Sequence, residues 1–219
     1  MDRHADVKEA LVHYGRKMAT NRLTTGTGGN LSAIDRRSRR VAITPSGLDY
    51  FEMTPDDVVM CDLQGNVKQG RRKPSSEINF HLALYHHRAD IGAVVHTHSV
   101  YASTLACLHL EIPAVHYLVG FSGANVPLAP YATFGTPELA QSLTSTIGDC
   151  NAVLLANHGL VSVGPDIATA FAVAEEIEFV AQIYYQTLIA GDPKILTEAQ
   201  MSEVLKKFKT YGQSKPSFH

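Results

Sequence analysis

Two histidines one residue apart, His96-Thr97-His98, close the β-like run Ala93-Val94-Val95. Residues i and i+2 of a strand point to one face, so the two imidazoles converge. A third histidine, His158, follows the apolar run Val153–Ala156 in Asn157-His158-Gly159, where a strand gives way to a glycine turn. Three histidines are a ligand set that catalytic zinc sites use, with further coordination left open for water or substrate. A His-x-His pair by itself more often marks ordinary strand or loop histidines, and the Asn-His-Gly turn strengthens the metal reading without deciding it. The chain holds 11 histidines. His4, His13, His81, His86, His87, His109 and His219 fall on helix faces or near termini, where solvated imidazoles are expected. His116, beside Tyr117, stays open between the two readings.

Other segments could hold an anion. Gly28 and Gly29 allow close backbone approach, Asn30 and Ser46 bring polar side chains, and Gly47 exposes an amide. Ser75 and Ser76 precede an apolar-periodic run, a serine in that place being a helix N-cap whose free amides and dipole favour negative charge. Each of these is a common structural device when taken singly. Glu77, at the first turn of that helix, reads on its own as the glutamate of a capping arrangement, and Thr27 as peripheral.

The elements that must position these groups follow from periodicity. The first twenty residues read as an amphipathic helix carrying Val7, Ala10, Leu11, Tyr14 and Met18 on one side. Short strands are expected at 31–34 and 41–44, with the basic Arg36, Arg37, Arg39 and Arg40 as a solvated hairpin tip, and a further strand pair around 58–62 and the Gln64-Gly65-Asn66 turn. Helices are expected at 78–87, 99–108, 136–147, 166–190 and 198–209, and strands at 92–98 and 151–156. Pro137 marks one helix start and Gly191-Asp192-Pro193 a helix stop. No repeat or linker interrupts the pattern, which predicts one α/β layered domain over 1–219.

Composition excludes several functions. With 219 residues, 45% hydrophobic and 18% charged, the chain can bury a substantial core. Its 19 Lys and Arg against 21 Asp and Glu give a formal net charge of -2, so no global field draws nucleic acid or an anionic membrane. Cys61, Cys107 and Cys150 form no C-x-x-C pair and are odd in number, which points to a reducing, cytoplasmic setting and assigns them no role. No secretion signal or membrane span is expected, because the charged start lacks an apolar region and no long apolar run occurs.

Thr27-Gly28-Gly29-Asn30, Thr44-Pro45-Ser46-Gly47, Pro74-Ser75-Ser76-Glu77, Val95-His96-Thr97-His98, Pro113-Ala114-Val115-His116-Tyr117, Pro130-Tyr131-Ala132-Thr133-Phe134-Gly135 and Asn157-His158-Gly159 occur in this order along the chain. In this order they resemble the zinc-dependent class II aldolases, nearest to the branch acting on fuculose 1-phosphate. The resemblance extends to Lys207-Phe208-Lys209-Thr210-Tyr211-Gly212. It implies a three-layer α-β-α sandwich around a mostly antiparallel sheet. It also implies Zn²⁺, or another divalent ion such as Mn²⁺ or Co²⁺, on His96, His98 and His158, with Glu77 as a resting fourth ligand.

The resemblance further implies retro-aldol cleavage of a ketose 1-phosphate to dihydroxyacetone phosphate and an aldehyde, the metal being the Lewis acid. No lysine Schiff base is then needed, and Lys73 is left as a solvated loop residue. Glu77 becomes a general acid/base that leaves the metal when substrate binds. Gly29, Asn30, Ser46, Gly47, Ser75 and Ser76 become a phosphate cradle, with Phe134 a further substrate-site residue. Tyr117 is implied as a proton donor delivered from a neighbouring subunit of a homotetramer, and Phe208 and Tyr211, in a tail at 207–219, as residues that close over the aldehyde portion.

Two enzymes of the same implied fold compete, a sugar-phosphate 4-epimerase and a methylthioribulose-1-phosphate dehydratase. Against the epimerase, Glu rather than Asp follows Ser75-Ser76, and no carboxylate lies between Ile112 and Pro137. Against the dehydratase stands the tail. A non-enzymatic, adducin-like module would require lost metal ligands, and all are present. L-fuculose 1-phosphate, 5-deoxyribulose 1-phosphate and 5-methylthioribulose 1-phosphate remain open as substrates, since an apolar pocket discriminates by only ~1–3 kcal/mol per methylene.

Overall fold

The computed structural model describes residues 3–208. Helix α1 (Arg3–Thr20) leads into the antiparallel strands β1 (Asn30–Asp35), β2 (Arg40–Ile43), β3 (Val59–Asp62) and β4 (Val67–Gln69). Then come α2 (Ile78–His87), β5 (Ala93–Thr97), α3 (Val100–Cys107), a 3-10 turn at Tyr117–Phe121, and the short β6 (Leu128–Ala129). The chain continues with α4 (Pro137–Ile147), β7 (Ala152–Leu155), β8 (Gly159–Gly164), α5 (Ile167–Ala190) and α6 (Glu198–Phe208). The strands form one sheet in the order β4-β3-β2-β1-β5-β8-β7-β6, antiparallel throughout except for the parallel β6–β7 pair.

Strand alternation sorts the apolar residues onto two faces. On β5, Ala93 and Val95 join the core formed with α1, α3 and α5, while Val94 joins the one formed with α2 and α4. Phe171 of α5 and Phe80 of α2 are among the largest fully buried side chains of these two layers, and truncating either to Ala removes packing worth about 3–5 kcal/mol. The expected three-layer arrangement is present. The central pair β5–β8 carries one of the candidate ligands: His96, two residues after Val94, projects into the α2 layer and meets Phe80 edge-on at 5.4 Å.

The expected helices and strands are found within a residue or two of their predicted bounds. The short β6 was not among the expected strands, and two further features were not expected. Strand β8, Gly-Leu-Val-Ser-Val-Gly, is buried along its whole length and pairs with β5 and β7, so its two-sided apolar character hides the alternation that marks a half-exposed strand. Its first residue must lack a side chain, because a Cβ on Gly159 would run into the Thr97 carbonyl. The arginine run is also not simply solvated. Arg36 donates to the carbonyls of Arg88 (3.0 Å) and Ile91 (2.8 Å), tying the β1–β2 turn to the C-terminus of α2. Among the described residues, no helix is long and apolar enough to cross a membrane.

Candidate metal and anion site

Three elements bring the imidazoles together. His96 is the fourth residue of β5, His98 lies just past the strand's end, and His158 lies in the β7–β8 turn, where Asn157 takes φ 54°. The Nε2 atom of His96 is 2.9 Å from that of His98 and 3.2 Å from that of His158. His96 Nδ1 is 3.0 Å from the Leu160 carbonyl, which can only accept, so Nδ1 carries the proton and Nε2 presents a lone pair. Glu77 completes the group, with Oε2 3.3 Å from His96 Nε2 and Oε1 3.4 Å from His158 Nε2.

These four ligand atoms lie within 4.8 Å of one another. Lone pairs converging at this range repel unless a cation sits between them. Tetrahedral Zn²⁺ with Zn–N of 2.0–2.1 Å would set donor atoms about 3.3 Å apart, close to what is seen. Glu77 Oε1 is buried with no hydrogen-bond partner, an oxygen of the kind a cation satisfies. The donor set therefore fits a divalent ion. Burial pushes His98 and His158 down to about 4 each, with His96 adding to it, so both are neutral and able to ligate at pH 7. Burial pushes the Glu77 carboxyl up, but His96, then His158 and the Asn30 amide, outweigh it and hold Glu77 well below the usual carboxylate range.

In front of the cluster lies a cleft of about 360 Å³ lined by Gly29, Asn30, Ser46, Gly47, Ser75, Ser76, Glu77, His98, Phe134 and His158, with Thr27, Gly28 and Pro45. The loops after β2 and before α2 are held side by side by a Pro45–Pro74 bridge, with Ser75 N donating to Thr44 O and Ser46 N to Lys73 O. Gly29 takes φ +69°, and a Cβ there would meet the His96 carbonyl at 2.6 Å, so only glycine lets this loop close onto β5. Tyr50 OH donates to Gly29 O at 2.7 Å and fixes the loop. Among the described residues, no Lys or Arg lines the cleft. An anion there would rest on backbone amides, hydroxyls and the N-terminus of α2.

The serines do not cap α2 as expected. Glu77 occupies the cap position with no side-chain cap bond, and Ser75 Oγ accepts from Glu77 N at 3.2 Å. The capping role for the Glu77 carboxylate is thereby overturned: its oxygens point to Asn30 and the imidazoles. Tyr117 and Phe208, singled out with the site, lie elsewhere in this chain. They share a groove of about 420 Å³ with Leu118, Phe121 and Glu176, and Phe208 ends α6 with its ring 5.2 Å from that of Phe121. Tyr211 and the remainder of the tail fall outside the described residues. A larger hollow of about 610 Å³ lies between Lys8, Asp56, Asp57 and residues 69–72, and among the described residues it shares no lining residue with the cluster.

His81 corrects the expectation of a solvated helix residue. It is fully buried, with Nε2 2.5 Å from Asn30 Oδ1 and Nδ1 2.6 Å from Ser32 Oγ, which in turn lies 2.7 Å from Tyr85 OH. A signal was present. Asn30 and Ser32 alternate on one face of β1, and Glu77, His81 and Tyr85 recur every four residues, which stacks them on one face of a helix.

The sequence and the fold are similar to those of several known proteins. The chain is 55% identical over 206 residues to "5-deoxy-D-ribulose 1-phosphate aldolase" of Bacillus thuringiensis serovar kurstaki, covering 94% of this chain and 97% of the relative. It is 41% identical over 209 residues to the "5-methylthioribulose-1-phosphate/5-deoxyribulose-1-phosphate aldolase" of Rhodospirillum rubrum, covering 95% and 93%. A solved structure of "L-fuculose 1-phosphate aldolase" superposes with a TM-score of 0.91 at 45% identity, covering 93% of this chain and 96% of that one. Residues 9–185 match the family model described as Class II Aldolase and Adducin N-terminal domain. The match takes in every one of the four clustered donors and the whole cleft, and the chain belongs to that family.

Proposed function

We propose that this chain is a Zn²⁺-dependent aldolase that cleaves a ketose 1-phosphate to dihydroxyacetone phosphate and an aldehyde. One observation carries the reading: a carboxylate, Glu77, stands between a convergent three-histidine donor set and a cleft built for an anion. His96, His98 and His158 would hold the ion, which when bound supplies a Lewis acid for the substrate carbonyl. Asn30, Ser46, Gly47, Ser75 and Ser76 would take the phosphate, placing the ester one carbon from the carbonyl and so beside the cluster. Breaking the C3–C4 bond requires removal of the proton on O4 and delivery of one to C3. Glu77, next to the atoms that face the cluster, suits the proton at C3.

The second proton needs a second group, and Tyr117 is assigned to it. Within its own subunit Tyr117 lies in another groove and is about half exposed, which supports a site completed by a neighbouring subunit of a homotetramer. Phe134, 65% exposed at the cleft, would meet the aldehyde portion together with Phe208 and Tyr211 of the tail. Among substrates, 5-deoxyribulose 1-phosphate is favoured by the name of the relative at 55% identity, ahead of 5-methylthioribulose 1-phosphate and L-fuculose 1-phosphate. A cytoplasmic location goes with this sugar-phosphate chemistry, and neither nucleic acid nor membrane is a proposed partner. The intact donor set weighs against a non-enzymatic module.

The test is release of dihydroxyacetone phosphate from those three esters by chelator-treated protein, before and after adding Zn²⁺, Mn²⁺ or Co²⁺. Release should vanish on chelation and return with metal, fastest with the 5-deoxypentulose ester. No release from any of the three by metal-loaded protein overturns the proposed function.

A further inference from the structure

From Asn30 and Glu77, which line the cleft, a line of buried polar side chains runs on into the interior to His81, Ser32 and Tyr85, three residues that the metal and phosphate roles leave unused. It crosses from α2 to β1 and back: Tyr85 OH, Ser32 Oγ, His81, Asn30 and Glu77, linked at 2.7, 2.6, 2.5 and 2.9 Å. Ser32 and His81 are both wholly buried and Asn30 is 4% exposed. Four polar groups removed from water need a reason, since each adds desolvation cost unless its partners are all in place.

The chain has one consistent direction. Burial pushes His81 down to about 3, so it is neutral and carries a single ring proton. The Glu77 carboxylate can only accept, so Asn30 must present its NH₂ to Oε2 and its Oδ1 to His81. Oδ1 can only accept as well, which places the ring proton on Nε2 and leaves Nδ1 to accept from the Ser32 hydroxyl. Ser32 Oγ then accepts from Tyr85 OH. Every donor and acceptor along the line is matched, and reversing the Asn30 amide would set Oδ1 against the carboxylate and NH₂ against an N–H.

We propose that His81 is a positioning residue that, held in its Nε2–H form by Ser32 and Tyr85, locks the Asn30 amide so that it donates to Glu77 and leaves Oε1 free for the reaction. The proposal rests on the reading of Glu77 as the acid/base. A locked amide also keeps Asn30 presenting a donor, not an oxygen, to the anion cleft that it lines.

The test is steady-state cleavage of 5-deoxyribulose 1-phosphate by His81→Phe, His81→Gln and Ser32→Ala proteins, each checked for fold and bound metal, in wild-type and Asn30→Ala backgrounds. His81→Phe should lower kcat about 10- to 100-fold, the range found when partners of site residues are removed, with metal content unchanged. His81→Gln, which retains an N–H where Nε2 stands, should recover to within about fivefold of wild type. In the Asn30→Ala background, His81→Phe should add less than threefold, because the residue through which it acts is gone. Full multiplicative loss there, or wild-type kcat in folded His81→Phe protein, overturns the proposal. If His81→Phe does not fold, Ser32→Ala decides by the same two criteria, a loss of about tenfold that disappears without Asn30. Glu77→Gln run in parallel separates the two readings: near-normal turnover there removes the acid/base role itself, whereas an inactive Glu77→Gln beside a fully active His81→Phe removes only the positioning role.

Discussion

Replacing Glu77 by Gln removes one negative charge and the capacity to carry a proton, while keeping the side chain's volume and reach. The amide oxygen can accept from Asn30 Nδ2, as Oε2 does at 2.9 Å, and the amide nitrogen takes the place of Oε1, which has no hydrogen-bond partner to lose. No buried polar group is newly orphaned, so the stability change should stay within about 1 kcal/mol. His96, His98 and His158 are untouched and should retain metal. The loss falls on chemistry: removing a general acid/base slows the step ~10²- to 10⁴-fold, about 2.7–5.4 kcal/mol at 1.36 kcal/mol per decade. KM should stay level or fall, because the bound phosphate no longer faces a carboxylate across the cleft. The assay pairs metal analysis and thermal unfolding with dihydroxyacetone phosphate release. A folded, metal-loaded Glu77→Gln protein turning over within threefold of wild type would refute the argument and leave the carboxylate a structural group at the helix start.

Replacing His96 or His98 by Ala should remove both bound metal and activity, whereas replacing His13 or His87, exposed on α1 and α2, should change neither; equal losses at all four positions would mean that the cluster does not hold the ion. In metal-free protein, His98 and His158 ionise near 4 and His81 near 3, against 6.5 when unfolded. The unfolded chain therefore takes up protons first as pH falls, so stability should drop steadily from pH 6.5 to 4, by up to about 1.4 kcal/mol per pH unit per group. Urea midpoints that stay flat over this window would contradict the burial-driven shifts. Tyr117→Phe and Glu77→Gln proteins, each nearly inactive, should regain partial activity when unfolded and reassembled together, since mixed interfaces combine an intact Glu77 with an intact Tyr117. Turnover no higher than the parental mean would exclude a site shared between subunits.

Periodicity and end signals determined the helices and most strands, because amphipathic faces and residues such as Pro137, Asp166 and Gly191 act within a few residues of chain. The three histidines and the glycine and serine turns were legible from residue type and spacing, whereas Glu77 read on its own as a cap and became a candidate donor only through the family resemblance. Strand β8 escaped because burial on both faces erases the period of two, and the serine caps failed because Glu77, drawn to Asn30 and the imidazoles, took the cap position itself. Only the tertiary structure decided what lies more than thirty residues apart in the chain: that β5 and β8 pair so as to bring His158 to His96, that Gly29 meets the backbone of His96, and that His81 is an interior link and not a surface residue. It also separated Tyr117 and Phe208 from the cleft of their own chain. Local sequence records the turn a residue prefers and the face it presents, but which faces meet is set by sheet order and by the burial that sheet order makes possible.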